Sequence, residues 1–241
     1  MKLNKIISAF AAIIIAASTA FGAPAAVENN ADGNGAGRVR VPLNLAVLIQ
    51  DDVTQRVGNE LERTREFIRR LPAGSRVMVG YVTSGSLQVR QSFTTDLESA
   101  AKSLRLPVGN EAASPYNPFV EVREALKKFP TDGKNFNALL LVSDGLDVSR
   151  GFGPSTFVHS IDLESAVREA QRRGVAVYTF YAPTQLTASS RTAANRGQSA
   201  LNRLTKETGG QAFFQGTDFV SFDPYFRDFS RTLNRQFAGA I

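Results

Sequence analysis

The stretch that decides the fold is "NLAVLIQDDVT", residues 44 to 54, where an apolar run gives way to polar residues. Leu45 to Ile49 form a continuous apolar run, which is typical of a strand that is buried on both faces. Gln50, Asp51, Asp52 and, after one valine, Thr54 follow directly. A strand that belongs in the core therefore delivers several oxygen-bearing side chains at its end.

The same kind of apolar run begins near residues 43, 137 and 175, and segments with helical spacing of apolar residues separate these runs. Residues 76–83 and 87–93 predict a hairpin at the edge of the sheet. This alternation predicts a doubly wound α/β domain with a mostly parallel central sheet, helices on both faces and one antiparallel edge strand.

Two later segments are less regular. The stretch "PTQLTASSRTAANRG", residues 183–197, is rich in small and polar residues and predicts a loop. A short helix is predicted to follow it, with Leu201 and Leu204 on its apolar side.

The beginning of the chain has the pattern of a secretory signal peptide. Lys2 and Lys5 precede an apolar segment from Ile6 to Ala17, and small residues follow. We predict a signal peptide over residues 1–25, a flexible leader over 26–40 and one domain over 41–241. The alternative is a membrane anchor, for which the apolar segment is short. No other segment is apolar enough to cross a bilayer, so the mature chain is expected to have no membrane span.

The composition of the chain excludes several kinds of site and partner. The chain has no cysteine, which excludes disulfides, cysteine metal sites and lipid attachment at a lipobox cysteine. A disulfide-free exported domain suits a bacterial envelope, so we expect a periplasmic or secreted protein. The net charge is +6, and the basic pairs, such as Arg172–Arg173, lie near the ends of predicted helices, where cations complement the helix dipole. Nucleic-acid binding is therefore not expected.

The polar residues after the apolar strands predict a site. In doubly wound folds ligands bind beyond the carboxyl ends of the strands. Gln50, Asp52 and Thr54 follow the first strand, Asp144 follows the central strand, and Ser114 lies in a loop before a helix. These side chains offer oxygen atoms, with no histidine or cysteine among them, and such a set suits Mg²⁺, Mn²⁺ or Ca²⁺.

These segments resemble the von Willebrand factor type A (VWA) domain family, in particular its exported bacterial members. "LAVLIQDDVT" aligns with the Asp-x-Ser-x-Ser motif of the family, "LLLVSDGLD" with its "(T/S)DG" motif and "ETGGQAFF" with its common "TGG". "ASPYNPFVEVREAL" occupies the place of the loop that carries a threonine. The resemblance runs from about residue 41 to residue 236.

The metal-ion-dependent adhesion site of the family is altered here. Gln50 replaces the first Asp, Asp52 the first Ser and Thr54 the second Ser, while Ser114 stands at the Thr position. Asp144 matches the final Asp. The resemblance implies a cation held by these side chains, with Gln50 acting through water and either Asp51 or Asp52 restoring the lost charge.

The resemblance also implies a non-enzymatic protein that binds another protein, whose acidic side chain would complete the metal shell. One alternative is a metal-independent interaction module with a decayed site, whose binding surface lies elsewhere. In that case Asp52 and Thr54 would cap the first helix and Asp144 would accept from turn amides. A metal-dependent hydrolase is a third reading. However, His159 is the only histidine, and the sequence lacks the Gly-x-Ser-x-Gly pattern of a nucleophile elbow.

Overall fold

The computed structural model describes five stretches of the chain, all within a unit formed by Gly35–Ile241. These stretches are residues 39–53, 55–109, 117–149, 160–214 and 221–237. The strands found in them are β1 (Leu43–Gln50), β2 (Arg76–Thr83), β3 (Ser86–Thr94), β4 (Phe136–Ser143), β5 (Val175–Tyr181) and β6 (Ala212–Phe213).

The strands form a sheet in the order β3-β2-β1-β4-β5-β6. Strand β1 lies in the middle and pairs in parallel with β2 and β4, and β5 and β6 continue the parallel arrangement. Strand β3 is antiparallel to β2 and lies at one edge. The predicted fold class is therefore confirmed, including the antiparallel edge strand.

Seven α-helices occur in the described residues, and a 3-10 helix at Gln55–Glu60 precedes the first of them. They are α1 (Leu61–Arg69), α2 (Leu97–Lys102), α3 (Pro118–Leu126), α4 (Ile161–Arg173), α5 (Gln185–Ser189), α6 (Arg191–Glu207) and α7 (Phe222–Phe237). Residues of α1, α2 and α7 pack on one face of the sheet, and residues of α3, α4 and α6 pack on the other. Within the described stretches, no helix is long and apolar enough to cross a membrane.

Strand β1 is buried along its whole length because both of its faces are covered. Leu45 and Val47 point into the core shared with α1 and α7, whereas Ala46 and Leu48 point into the core shared with α3 and α4. Side chains of a strand alternate between its two faces, so a strand between two helical layers needs apolar residues at every position. The apolar run of β1 meets this requirement.

The prediction of a loop over residues 183–197 is wrong, because this segment forms α5 and the first turns of α6. The Thr184 side chain caps α5 in a capping box with Thr187, and the Ser190 side chain accepts from the backbone N–H of Ala193 at the start of α6. The buried positions of the first turns are small residues, including Ala194 and Gly197. Small residues give a weak apolar periodicity, so the sequence pattern does not reveal the helix.

Gly197 brings α6 against the end of β4. A Cβ atom built on Gly197 would lie 1.9 Å from the carbonyl oxygen of Asp144, so no larger residue fits at this position. On the other face, the 3-10 helix Gln55–Glu60 leads directly into α1, which begins at Leu61 with Glu60 as its N-cap residue.

Candidate functional site

The carboxyl ends of β1, β4 and β5 bring together a buried group of polar side chains. Gln50 ends β1, Ser143 ends β4, and the sheet register pairs their neighbours Ile49 and Val142. Asp52 and Asp144 follow one or two residues after these strands. All four polar residues are at most 8% exposed.

The side-chain amide of Gln50 lies between the two carboxylates. Its Nε2 atom donates to Oδ1 of Asp52 at 2.8 Å and to Oδ1 of Asp144 at 3.2 Å. A primary amide has two N–H groups, so each carboxylate receives one of them. The structure therefore brings Gln50, Asp52 and Asp144 together, as the sequence predicts, but Gln50 acts as a donor to the other two.

The other end of the amide fixes its orientation. Ser143 Oγ donates to Oε1 of Gln50 and accepts the backbone N–H of Gly145 at 2.9 Å. The hydroxyl has one proton, and Gly145 cannot use it because its N–H is itself a donor. The proton is therefore directed to Gln50, which keeps Oε1 on the serine side and Nε2 on the carboxylate side.

Asp144 is the most enclosed acid of the group. Its Oδ1 accepts the backbone N–H of Leu146 at 3.0 Å, and its Oδ2 accepts the hydroxyl of Thr184 at 2.8 Å. Burial raises the pKa of the Asp144 carboxyl to about 6, the Leu146 N–H opposes this shift, and the charge of Asp52 adds to it. Above that pH a charged carboxylate is held in the core by donors of the chain itself.

Thr184 is a member of this site that sequence reasoning missed. It follows β5, whose carboxyl end lies at the same edge of the sheet as those of β1 and β4. The rule that ligands gather beyond the carboxyl ends of parallel strands applies to β5 as well. Extending the search to the first polar residue after "VAVYTFYAP" would have identified it.

Asp51 forms a separate, paired site. Its two carboxylate oxygens accept from Nη1 and Nη2 of Arg105 at 2.6 and 2.7 Å, and Oδ1 also accepts the backbone N–H of Val108 at 3.0 Å. The guanidinium lies over the ring of Tyr81 at 4.0 Å from its centroid. Asp51 is only 2% exposed, and both of its oxygens accept from Arg105. Because Arg105 balances its charge, Asp51 is not available to bind a cation.

Asp147 lies further out and binds the start of α4. Its Oδ1 accepts from the backbone N–H and the hydroxyl of Ser149, and its Oδ2 accepts the hydroxyl of Ser160 at 2.7 Å. Ser160 is the N-cap residue of α4. The role of Asp147 in this arrangement is to connect the end of β4 to the next helix.

Three residues singled out in the sequence lie outside the described residues. Thr54 and Ser114 are the remaining members of the predicted metal site, and His159 is the only histidine of the chain. Their predicted roles stay predictions. The predicted signal peptide over residues 1–25 lies outside the described residues as well, as does most of the predicted leader.

Comparison with known proteins gives structural matches only. No family model matches the chain, and no curated protein matches it by sequence. An aerotolerance-related membrane protein from Bacteroides fragilis superposes with a TM-score of 0.55 at 13% identity, covering 80% of this chain and 99% of the other. The conserved hypothetical protein BatB from Bacteroides thetaiotaomicron superposes with a TM-score of 0.58 at 13% identity, covering 81% and 99%.

The VWA domain of SpRpn10 is also matched, with a TM-score of 0.45 at 11% identity over 81% of this chain and 95% of the other. The sheet order, the antiparallel edge strand and the helices on both faces are those expected from the sequence resemblance. The chain has a VWA-like fold. At these identities the likeness concerns the fold and does not extend to activity.

A cation at the top of the VWA-like sheet would need oxygen atoms directed at one point. Here the atom between Asp52 and Asp144 is Nε2 of Gln50, which presents hydrogens where a cation would need lone pairs. The described residues also contain no group of three or more histidine, cysteine, aspartate or glutamate side chains that could hold a metal ion. In this arrangement the described side chains do not fit a hard dication.

The raised pKa of Asp144 predicts a pH-dependent stability. The folded state binds the Asp144 proton more tightly than the unfolded chain, so this contribution is full below about pH 4 and is lost as pH rises to about 6. Replacing Asp144 with asparagine removes the titration, and the wild-type protein should lose about 3 kcal/mol more than Asp144→Asn across this range. Urea unfolding between pH 4 and 8, in chelator, measures the difference.

Asp228→Asn, which removes an exposed carboxylate on α7, is the control for this comparison and should follow the wild-type curve. Parallel curves for the wild type and Asp144→Asn would contradict the account, because they would show that Asp144 titrates alike in both states.

The pair of Asp51 and Arg105 predicts a strong energetic coupling. Arg105→Ala leaves a buried carboxylate without its cation and should cost about 3 to 5 kcal/mol of unfolding free energy. A double-mutant cycle with Asp51→Asn should then show a coupling of at least about 1 kcal/mol, because the two residues share one set of hydrogen bonds.

The exposed pair of Arg69 and Glu98, whose Nε–Oε2 distance is 2.8 Å, provides a matched control. Its cycle, with Arg69→Ala and Glu98→Gln, should give a weaker coupling than the cycle of Asp51 and Arg105 because water screens both charges. Equal couplings for the two pairs would show that burial of Asp51 does not strengthen its interaction.

Proposed function

We propose that this chain is an exported, non-catalytic VWA-like domain that binds another protein. The binding surface is the end of the sheet at which the parallel strands β1, β4 and β5 terminate, which we call the carboxyl-end edge. One observation carries the proposal. The large apolar side chains that are exposed in the described residues all belong to three segments that are hydrogen-bonded to acidic residues following β1 or β4. They are Leu106, Val108, Ile161 and Leu186.

Leu106 and Val108 belong to the loop that Arg105 ties to the end of β1. The backbone N–H of Val108 donates to Asp51, and the backbone N–H of Gly109 donates to the carbonyl oxygen of Asp51 at 2.8 Å. Leu106 is 66% exposed and packs beside Gly58, where a Cβ atom would lie 2.7 Å from its Cδ2. A loop tied down in this way presents its apolar residues in a fixed position.

Ile161 and Leu186 are held in a corresponding manner from the other strands. Ile161 follows Ser160, whose hydroxyl bonds to Asp147 after β4. Leu186 lies two residues beyond Thr184, whose hydroxyl bonds to Asp144. Exposed apolar side chains that gather on one surface are typical of protein interaction sites, whereas single exposed ones are ordinary.

These contacts favour a partner that offers apolar side chains to the edge. Apolar anchors at the centre of an interface supply most of its binding free energy. The carboxylates beneath are already hydrogen-bonded within the chain, which supports a binding role over a catalytic one. The sequence resemblance to VWA domains, which are protein-binding modules, supports the same role.

Export is supported by the sequence before the domain. Lys2 and Lys5 followed by the apolar segment 6–17 have the charge and length of a signal peptide. Two of the matched structures come from Bacteroides species, and one of these is described as a membrane protein. A periplasmic or secreted location is compatible with a bacterial signal peptide of this kind.

The proposed surface predicts which substitutions weaken binding. The partner is first captured from an envelope fraction with the tagged chain and identified by mass spectrometry. The double variant Leu106→Ser/Leu186→Ser should then bind it at least about tenfold more weakly, because two apolar anchors are lost. Calorimetry with the purified partner measures the affinity.

Lys134→Ser is the control for that experiment. Lys134 is exposed and precedes β4, so it lies at the amino-terminal end of this strand, away from the carboxyl-end edge. It should bind like the wild type. If Lys134→Ser weakens binding and the double variant does not, the interface lies elsewhere. Circular dichroism confirms that each variant is folded.

The signal peptide predicts a processed N-terminus. Mass spectrometry of the exported protein should find a chain that begins between residues 21 and 26, with Met1 absent. Ile14→Lys places a charge within the apolar segment and should keep the protein inside the cell with its N-terminus uncut. An intact Met1 on exported wild-type protein would rule out cleavage.

A further inference from the structure

We infer that the amide of Gln50 takes the place of a cation in this fold, so that the edge of the sheet is assembled without metal and a single substitution, Gln50→Asp, would create a metal site. The inference concerns the chain alone. It stands whether or not the carboxyl-end edge binds a protein, and its test does not depend on a partner.

The Gln50 amide lies between the two carboxylates. Nε2 of Gln50 is within hydrogen-bond distance of carboxylate oxygens from two different strand ends, at 2.8 Å from Asp52 and 3.2 Å from Asp144. The three residues are nearly excluded from water. An amide with two N–H groups connects two carboxylates by direct hydrogen bonds, as a bridging cation would by coordination.

Turning the Gln50 amide around would cost free energy. Rotation by half a turn would direct Oε1 at the two carboxylates, where acceptors would face acceptors, and would direct Nε2 at Ser143. The hydroxyl proton of Ser143, which now bonds to Oε1, would lose that acceptor. Because such buried groups need partners, the rotated form is unfavourable unless a cation compensates it.

The amide and a metal ion make opposite demands on their neighbours. A divalent cation requires oxygen lone pairs at about 2.0 to 2.6 Å, and it binds more tightly as the number of charged ligands rises. Gln50 supplies a neutral side chain whose hydrogens already fill the gap between the carboxylates. Binding a cation would therefore have to break two hydrogen bonds to carboxylates before it forms any coordination bond.

Gln50→Asp reverses each of these conditions. It removes the N–H donors and places a third carboxylate beside Asp52 and Asp144. In chelator, the three acids should repel one another and lower the melting temperature. With Mg²⁺ or Mn²⁺, the same three acids should bind the ion, which then stabilises the folded state by mass action.

The experiment is thermal unfolding of wild-type protein and Gln50→Asp in chelator and in Mg²⁺ up to about 10 mM, well above the range of weak cation sites in proteins. The wild type should melt at the same temperature in both. Gln50→Asp should melt lower in chelator and should gain about 3 to 6 °C at a metal concentration ten times its Kd.

Gln88→Asp, on the exposed side of β3, adds the same charge away from the site and should behave like the wild type. Saturable stabilisation of the wild type by Mg²⁺ would overturn the inference, as would a folded Gln50→Asp protein that does not respond to metal.

If Gln50→Asp does not fold, the wild type alone still decides the question. Titration with Mn²⁺, followed by the electron paramagnetic resonance signal of the free ion, should show no loss of signal to the protein. A saturable loss of that signal would mean that Gln50 does not exclude the cation, and the inference would fail.

Discussion

Two carboxylates buried at the ends of neighbouring parallel strands must be satisfied by donors from the chain, and the amide of Gln50 supplies one N–H to each of them. The parallel register of β1 and β4 places Gln50 beside Ser143, which fixes the direction of that amide. Helices on both faces keep water away from these strands. A buried acid without donors would be costly, so the end of the sheet depends on this bridge.

The surrounding loops are attached to the same strand ends, each by its own hydrogen bonds. Arg105 holds the segment up to Gly109 on Asp51, Thr184 holds the start of α5 on Asp144, and Ser160 holds the start of α4 on Asp147. The exposed apolar side chains of the edge are carried by these attached segments. These three acids therefore act as anchors for segments that carry exposed apolar side chains.

Much of the fold could be predicted from the sequence because the strands are long apolar runs. The runs beginning near residues 43, 137 and 175 became β1, β4 and β5, and the hairpin became β2 and β3 at the edge. Residues 183–197 were predicted as a loop because α5 and α6 bury small residues such as Gly197. Their N-cap residues, Thr184 and Ser190, are small polar residues that are also common in loops. A periodic apolar pattern does not register such residues.

The membership of the site could be predicted only in part. Gln50, Asp52 and Asp144 lie together because strand ends converge, which follows from the topology. The direction of the Gln50 amide could not be predicted, since an amide offers both an acceptor and donors and its partners are set by the tertiary structure. The pairing of Asp51 with Arg105 joins residues 54 positions apart, and no local pattern indicates it.

The central claim is that the Gln50 amide, with no cation present, binds both carboxylates. Proton–nitrogen correlation spectra of the side-chain amide groups test it most directly, with Gln50 assigned by the pair of signals that disappears in Gln50→Ala. The account predicts two slowly exchanging protons, because both are buried in hydrogen bonds, at positions that do not change when Mg²⁺ is added. Fast exchange with water, or a saturable shift of these signals with Mg²⁺, would contradict it.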